Sequence, residues 1–267
     1  MSEMSADLAL RVLGVSRSFG GLRAVGDCSF EVQQGTITGL IGPNGAGKST
    51  VLNLLAGALK PERGSIRFYG REIAGLPAFK IARLGVARTF QLSSEFARMT
   101  VLENLMVAPL DQRGDSPWAA LLGPRVWMRQ ERRHLESAWA LLERFGLAPL
   151  AQEYAGNLSG GQKRLLELAR ALHMKPRLLL LDEPMAGVNP ALIAQLADYI
   201  AGLKREGLTV VMVEHEMGTV ERLCNPVIVM AQGRVLAEGA MAEIRANPAV
   251  VAAYLSGQRT QGVGAGG

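Results

Sequence analysis

The sequence predicts an α/β fold: a mixed sheet with parallel central strands, flanked by an N-terminal antiparallel β subdomain and interrupted by an inserted α-helical subdomain. Three observations predict it. Gly42-Pro43-Asn44-Gly45-Ala46-Gly47-Lys48-Ser49-Thr50 fits the phosphate-loop pattern G-x-x-x-x-G-K-[ST], with an apolar run before it (Thr36 to Ile41) and a helical run after it (Ser49 to Ala56). Leu178 to Leu181 and Leu208 to Val213 are continuous apolar runs, which suit parallel strands buried on both faces. Residues 92–157, between loop and runs, read as mostly helix.

The elements follow in order. Leu8 to Val15 alternates as a strand does, Ser16 to Val25 holds a Gly-Gly turn, and Cys28 to Val32 is a second strand. After the phosphate loop and its helix, Lys60 to Gly64 turns the chain into a strand over Ser65 to Tyr69. Leu76 to Leu84 is a helix with Pro77 in its first turn, and Val86 to Phe90 is a strand that leads to Gln91. Thr100-x-x-Glu103 is a capping box, Pro109 to Pro124 is loop-like, and Arg125 to Phe145 is a helix with an apolar stripe at Met128, Leu135, Trp139 and Leu142. A helix over Lys163 to Leu172 precedes the first apolar run. Leu192, Leu196, Tyr199 and Leu203 mark the helix between the two runs. A closing hairpin (Val227 to Met230, Val235 to Ala237) and two short helices complete a single domain over residues 8–256. Its core comprises residues 8–91 and 158–256, and residues 1–7 and 257–267 are expected to be disordered tails.

The bulk properties exclude some classes. The 267 residues, 48% of them hydrophobic, suffice for one large α/β domain with a subdomain. No run of 18 apolar residues is present to span a membrane, and Met1 to Asp7 lacks the basic and apolar regions of a secretory signal. Cys28 and Cys224 lie far apart without metal-type spacing, and both are expected to be reduced and buried. The net charge of +5 is read as an ordinary solvated surface, and no nucleic-acid partner is expected.

The residues that carry chemistry sit at element ends. In a strand–loop–helix the glycines let backbone N–H groups surround an anion, and the helix start adds roughly half a positive charge. Lys48 would reach the β- and γ-phosphates and Ser49 would hold Mg²⁺. Asp182 and Glu183 end the first apolar run. In P-loop nucleoside triphosphatases an acid there completes the Mg²⁺ shell, a role for Asp182, while Glu183 is suited to polarise the attacking water. His215 follows the next run, where it would hydrogen-bond the γ-phosphate. Ser159-Gly160-Gly161-Gln162 makes a second anion-binding helix start, one more than a single nucleotide requires.

Taken together, GPNGAGKST, Leu158-Ser159-Gly160-Gly161-Gln162 and the Leu178 to Pro184 stretch resemble the ATP-binding subunit of an ATP-binding cassette (ABC) transporter, over about residues 8–256. The resemblance implies an ATPase with ATP and Mg²⁺, in which Phe19 stacks on adenine and Gln91 senses the γ-phosphate and the metal. It implies a head-to-tail dimer with itself or a related subunit, in which Ser159, Gly160, Gly161 and Gln162 of one chain close over the nucleotide of the other. Ala186 to Asn189 would signal across that dimer. Two positions depart from the commoner pattern: Asn189 stands where Asp is frequent, and Glu216 follows His215 where Asp is commoner.

Ala87-Arg88-Thr89-Phe90-Gln91, Met99 to Leu105, the Pro109 to Pro124 insertion, Glu183 to Pro190 and the Asn247 to Leu255 segment are most similar to the branched-chain amino acid importers; urea importers share several of them. The implied partners are integral-membrane permease subunits and, indirectly, a periplasmic solute-binding protein, with the chain peripheral on the cytoplasmic face of the bacterial inner membrane. Phe96, Met99 and Val101 are expected to be exposed apolar residues that a permease helix would meet. A soluble cassette ATPase acting on DNA or ribosomes is the alternative, but those usually carry two cassettes or a coiled-coil insertion. A catalytically dead cassette is disfavoured because Lys48, Asp182, Glu183 and His215 are all present.

Overall fold

The N-terminal hairpin is longer than its alternation predicts. In the computed structural model, which describes residues 7–89, 96–110 and 124–261 (without the side chains of 124–127 and 256–261), β1 (Leu8–Phe19) and β2 (Leu22–Gln33) stay paired up to Phe19 and Leu22. Gly20 and Gly21 form the two-residue turn, both at positive φ, as the right-handed twist of the flanking strands favours. Register shifts near Val12, Val15 and Arg17 absorb the break in alternation that made residues 16–25 read as a turn. β4 (Arg63–Phe68) and the two-residue β5 (Arg71–Glu72) extend this antiparallel sheet in the order β2-β1-β4-β5.

The second sheet is mixed and six-stranded, in the order β10-β9-β3-β8-β7-β6. β6 (Val86–Arg88), β7 (Leu178–Asp182), β8 (Thr209–Val213), β3 (Ile37–Ile41) and β9 (Val227–Ala231) are parallel neighbours, and β10 (Arg234–Gly239) closes one edge antiparallel. Every residue of β3, β7 and β8 is buried, the outcome expected of unbroken apolar runs covered on both faces. These three strands are adjacent and parallel, so their C-terminal ends open on one side, where open α/β sheets bind ligands. β6 ends at Arg88; Phe90, predicted as its last residue, and Gln91 lie outside the described residues.

The chain divides into two units, one of Met1–Arg88, Arg177–Ala186 and Ala194–Gly267, the other of Thr89–Pro176 and Gly187–Ile193. The first holds both sheets, with α1 (Lys48–Leu55), α2 (Ala78–Arg83), most of α6 (Pro190–Arg205), α7 (Met217–Leu223), α8 (Met241–Ala246) and α9 (Pro248–Gln261). Its core joins the sheets through Phe30, Phe68, Leu52, Leu55, Leu180 and Ile228. Cys28 and Cys224 are free and buried, and burial pushes both thiols up to about 12. α9 continues to Gln261, so residues 257–261 are helical where the sequence predicts tail. One interior glycine, Gly257, costs a helix only about 1 kcal/mol.

The second unit is helical: α3 (Val101–Met106), α4 (Pro124–Arg144) and α5 (Gly160–His173), with α5 packed on both of the others. It extends beyond the predicted 92–157, because α5 buries Leu165, Leu166, Leu168 and Ala169. α3 begins at the predicted capping box. The Glu103 N–H donates to Thr100 Oγ1 at 3.1 Å and the Thr100 N–H to Glu103 Oε2 at 2.7 Å, a device worth about 1 kcal/mol. The predicted stripe of α4 is wrong in three of its four positions. Only Leu142 is buried; Met128 is 54% exposed, and Leu135 and Trp139 are more than a third exposed. The buried face runs instead through Ala138, Leu142 and Phe145. Reading large residues alone placed the face too far round the helix, because a small residue, Ala138, is fully buried. Val101 is fully buried and Met99 half-buried; of the three expected exposed residues only Phe96 is exposed, and the Arg170 guanidinium lies over its ring at 5.0 Å.

Candidate functional site

The loop that leaves β3 requires glycine at two points for steric reasons. Gly42 has φ 147°, and a Cβ there would sit 2.1 Å from the Met230 carbonyl oxygen. Gly47, the N-cap of α1, has φ 98°, and its Cβ would sit 2.4 Å from the Ala24 carbonyl oxygen. The backbone therefore turns tightly into α1, whose first N–H groups have no intrahelical partner. Lys48 is buried inside this turn, 6% exposed, and its Nζ donates to the Gly42 carbonyl at 2.8 Å and the Pro43 carbonyl at 3.1 Å. Burial draws the Lys48 ammonium below its usual range, and the charges of Glu183 and Asp182 oppose that shift.

Asp182 ends β7 at 1% exposure. Its Oδ2 accepts from Arg88 Nη2 at 2.9 Å, and Arg88 Nη1 donates to Asn53 Oδ1 at 2.7 Å. Asn53 Nδ2 in turn donates to the Ser49 carbonyl at 2.8 Å, so one chain of contacts links the carboxylate to the phosphate-loop helix. Asp182 Oδ1 is buried without a hydrogen-bond partner among the described residues.

Glu183 follows in a left-handed conformation, φ 49°, at which a non-glycine residue is strained by about 1–3 kcal/mol. Its N–H donates to the Val213 carbonyl at 2.9 Å, and its Oε1 lies 3.0 Å from His215 Nε2. Between β8 and His215 stands Glu214, 4% exposed. Its Oε1 accepts the Met185 N–H at 2.9 Å and its Oε2 the His215 N–H at 3.0 Å. Burial pushes the Glu214 carboxyl above its usual range; the backbone N–H groups of Met185, His215 and Glu216 pull it down, and the Glu183 charge raises it.

A cavity of about 550 Å³ lies over the loop, lined by Asn44 to Thr50, Glu183 and His215, with Leu22, Arg23, Ala24 and Gln232. The structure thus brings together Asn44, Gly45, Ala46, Gly47, Lys48, Ser49, Thr50, Glu183 and His215. Gly42 and Pro43 lie at its base through their contacts with Lys48. Phe19 is not in the lining. Its ring is half exposed, with the Arg17 guanidinium 5.0 Å from its centroid, and the hairpin meets the cavity through Leu22 to Ala24 instead. Gln91 lies outside the described residues.

Ser159, Gly160, Gly161 and Gln162 belong to the helical unit. Ser159 is the N-cap of α5: its Oγ accepts the Gln162 N–H at 3.3 Å, while Gln162 Oε1 accepts the Ser159 N–H at 2.9 Å. Nothing lies within 4 Å of where a Gly160 Cβ would be, whereas a Cβ on Gly161 would meet Leu192 Cδ2 at 1.9 Å. The two departures noted in the sequence are also caps. Asn189 Oδ1 accepts the Leu192 N–H at 2.9 Å, and the Glu216 carboxylate accepts from Gly218 and Thr219 at the start of α7. Sequence reading missed Arg88, Asn53 and Glu214. Each is a polar residue whose partner lies on another element, and no local pattern marks it.

The residues fit a nucleotide phosphate chain with a divalent cation. A buried ammonium, an open helix start, the Ser49 side chain and a buried, unpartnered carboxylate oxygen converge at the loop, and an oxygen donor set of this kind suits Mg²⁺.

Comparison with known proteins gives a consistent picture. The ABC transporter family matches over residues 25–186, and a second family, the branched-chain amino acid ATP-binding cassette transporter, over residues 234–255. The high-affinity branched-chain amino acid transport ATP-binding protein BraF of Pseudomonas aeruginosa is 44% identical over 92% of this chain and 97% of its own length. The probable branched-chain amino acid transport ATP-binding protein LivG of Archaeoglobus fulgidus is 39% identical over 94% of this chain and 97% of its own. Among solved structures, the ADP conformation of an ATP-binding cassette of an ABC transporter superposes with a TM-score of 0.80 at 35% identity, covering 93% of this chain and 98% of that one.

Proposed function

Because the chain belongs to the ABC transporter family, we propose that it is the ATP-hydrolysing subunit of a branched-chain amino acid importer, coupling ATP binding and hydrolysis in a head-to-tail dimer to uptake. The observation that carries the reading is the meeting of Lys48, Glu183 and His215 in one cavity at the adjacent ends of β3, β7 and β8. Lys48 and the backbone N–H groups of the loop hold the β- and γ-phosphates of ATP. Ser49, Asp182 and Gln91 would hold Mg²⁺, which when bound neutralises charge on the phosphate oxygens. Glu183 accepts a proton from the water that attacks the γ-phosphorus, and ADP leaves with the electron pair of the broken P–O bond. His215, at 3.0 Å, orients the Glu183 carboxylate.

The Ser159 to Gln162 segment acts on the partner chain's nucleotide in this reading. Ser159 and Gly160 are exposed at a helix start, so they are available to a second chain, with itself or a related subunit. Ser159→Arg is expected to leave ATP binding by the isolated chain within about twofold and to abolish hydrolysis in the homodimer. The lost cap costs about 1 kcal/mol, less than a domain's stability. Mixing the variant with a Lys48→Ala chain would restore one intact composite site, and the partial recovery of activity is the readout. No recovery would overturn the action in trans.

The permease subunits are the proposed membrane partners, with the solute-binding protein acting through them. The relatives' role as transport ATP-binding proteins supports a peripheral place on the cytoplasmic face of the inner membrane; among the described residues no helix is long and apolar enough to cross a membrane. The complete complex in proteoliposomes is expected to take up leucine, isoleucine or valine and to hydrolyse ATP faster when the loaded binding protein is added. Stimulation by urea and not leucine would replace the solute and keep the ATPase. No stimulation by any binding protein would count against import.

A further inference from the structure

We propose that Glu214 is a positioning residue for hydrolysis: its buried carboxylate ties together the two turns that carry Glu183 and His215 and so holds those side chains in contact. The inference rests on the reading of Glu183 as the base. Met185, two residues past Glu183, donates its N–H to one carboxylate oxygen at 2.9 Å, and His215 donates its N–H to the other at 3.0 Å. The two donors leave different strands, β7 and β8, so each oxygen serves one turn. With the Glu183 N–H on the Val213 carbonyl, the end of β8 grips the Glu183 turn at two points.

Such a grip is what the geometry of Glu183 needs. A left-handed glutamate persists only where its surroundings over-determine it, and here the neighbouring N–H groups supply that constraint. Glu214 does not line the cavity and touches neither place where phosphate or water would lie, so it acts through its neighbours. The rest of the strand end is apolar, Val210 to Val213 being fully buried. A carboxylate at this depth costs desolvation free energy that a hydrophobic residue would avoid, and the N–H groups it serves belong to the catalytic turns.

Glu214→Gln keeps the shape, accepts one of the two N–H groups and sets an amide NH₂ against the other. In the purified chain, kcat for ATP hydrolysis is expected to fall about 10- to 100-fold, the scale of a small misplacement of a reacting group, with ATP Kd and KM within about twofold. Paired with Glu183→Gln, the Glu214 change is expected to lower the residual single-turnover rate by less than about twofold, because its target is gone; independent effects would multiply. If Glu214→Gln does not fold, Glu214→Asp, which keeps the charge and loses the reach to one turn, is expected to show the same kcat loss at unchanged Kd. A kcat within twofold of the unaltered chain, an equal loss in affinity, or multiplicative losses in the double variant overturns the proposal. An inactive Glu183→Gln beside a fully active Glu214→Gln overturns it alone, whereas a fully active Glu183→Gln overturns the base assignment.

Discussion

Glu183→Gln is expected to lower ATP hydrolysis by about 10²–10⁴-fold, the usual loss for a general base, while ATP affinity stays within about twofold. The two effects separate because the phosphate cradle belongs to other residues. Lys48 and the loop backbone come from the segment after β3, and Glu183 reaches the cavity from β7. Glutamine keeps an oxygen within reach of His215 but cannot take the proton of the attacking water. A chain that binds ATP and does not cleave it should accumulate as the nucleotide-sandwiched dimer. Size-exclusion chromatography with and without ATP checks that outcome, and phosphate release checks the rate. Hydrolysis at the unaltered rate would show that another group takes the proton.

Lys48→Ala is expected to act at the earlier step. Deleting the ammonium removes a charge-assisted contact to phosphate worth about 1.5–3 kcal/mol, so the Kd for ATP should rise roughly 10- to 100-fold. It also removes the ammonium's contacts with the Gly42 and Pro43 carbonyls and a positive charge that acts on Glu183 and Asp182. Titration with a fluorescent ATP analogue measures the affinity directly. Unchanged affinity together with unchanged hydrolysis would remove the phosphate-loop assignment.

Much of this site was legible because its chemistry is written in contiguous residues. The phosphate loop, the Asp182-Glu183 pair and His215 each follow a strand whose apolar run announces burial, and parallel pairing of β3, β8 and β7 brings those ends together. The long-range constraints were not legible. Gly42 and Gly47 are required by the carbonyls of Met230 and Ala24, far away in the chain. Arg88 finds Asp182 and Asn53 across 94 and 35 residues, and nothing in Val86-Ala87-Arg88 distinguishes it from a strand end facing water. The aromatic expectation for Phe19 came from resemblance and concerns a side chain on an exposed hairpin end, where burial gives no signal. On α4 the error was one of face. Hydrophobic size marks a stripe, but Ala138 and not Trp139 is fully buried.

With Glu183 as the proposed base, its left-handed backbone sets stability and turnover against each other at a single codon. Glycine adopts that conformation without penalty, and asparagine adopts it more readily than glutamate does. Any selection that rewards thermal tolerance alone, such as heat challenge of a variant library scored by soluble yield, therefore favours removal of the residue we propose as the base. Breeding a hardier form of this subunit calls for a screen that scores phosphate release alongside survival, or for a library in which position 183 is held fixed. The strained φ also makes substitution at 183 informative in its own right: a variant that is harder to melt and slower to turn over would show how much folding free energy the site gives up to keep its base in place.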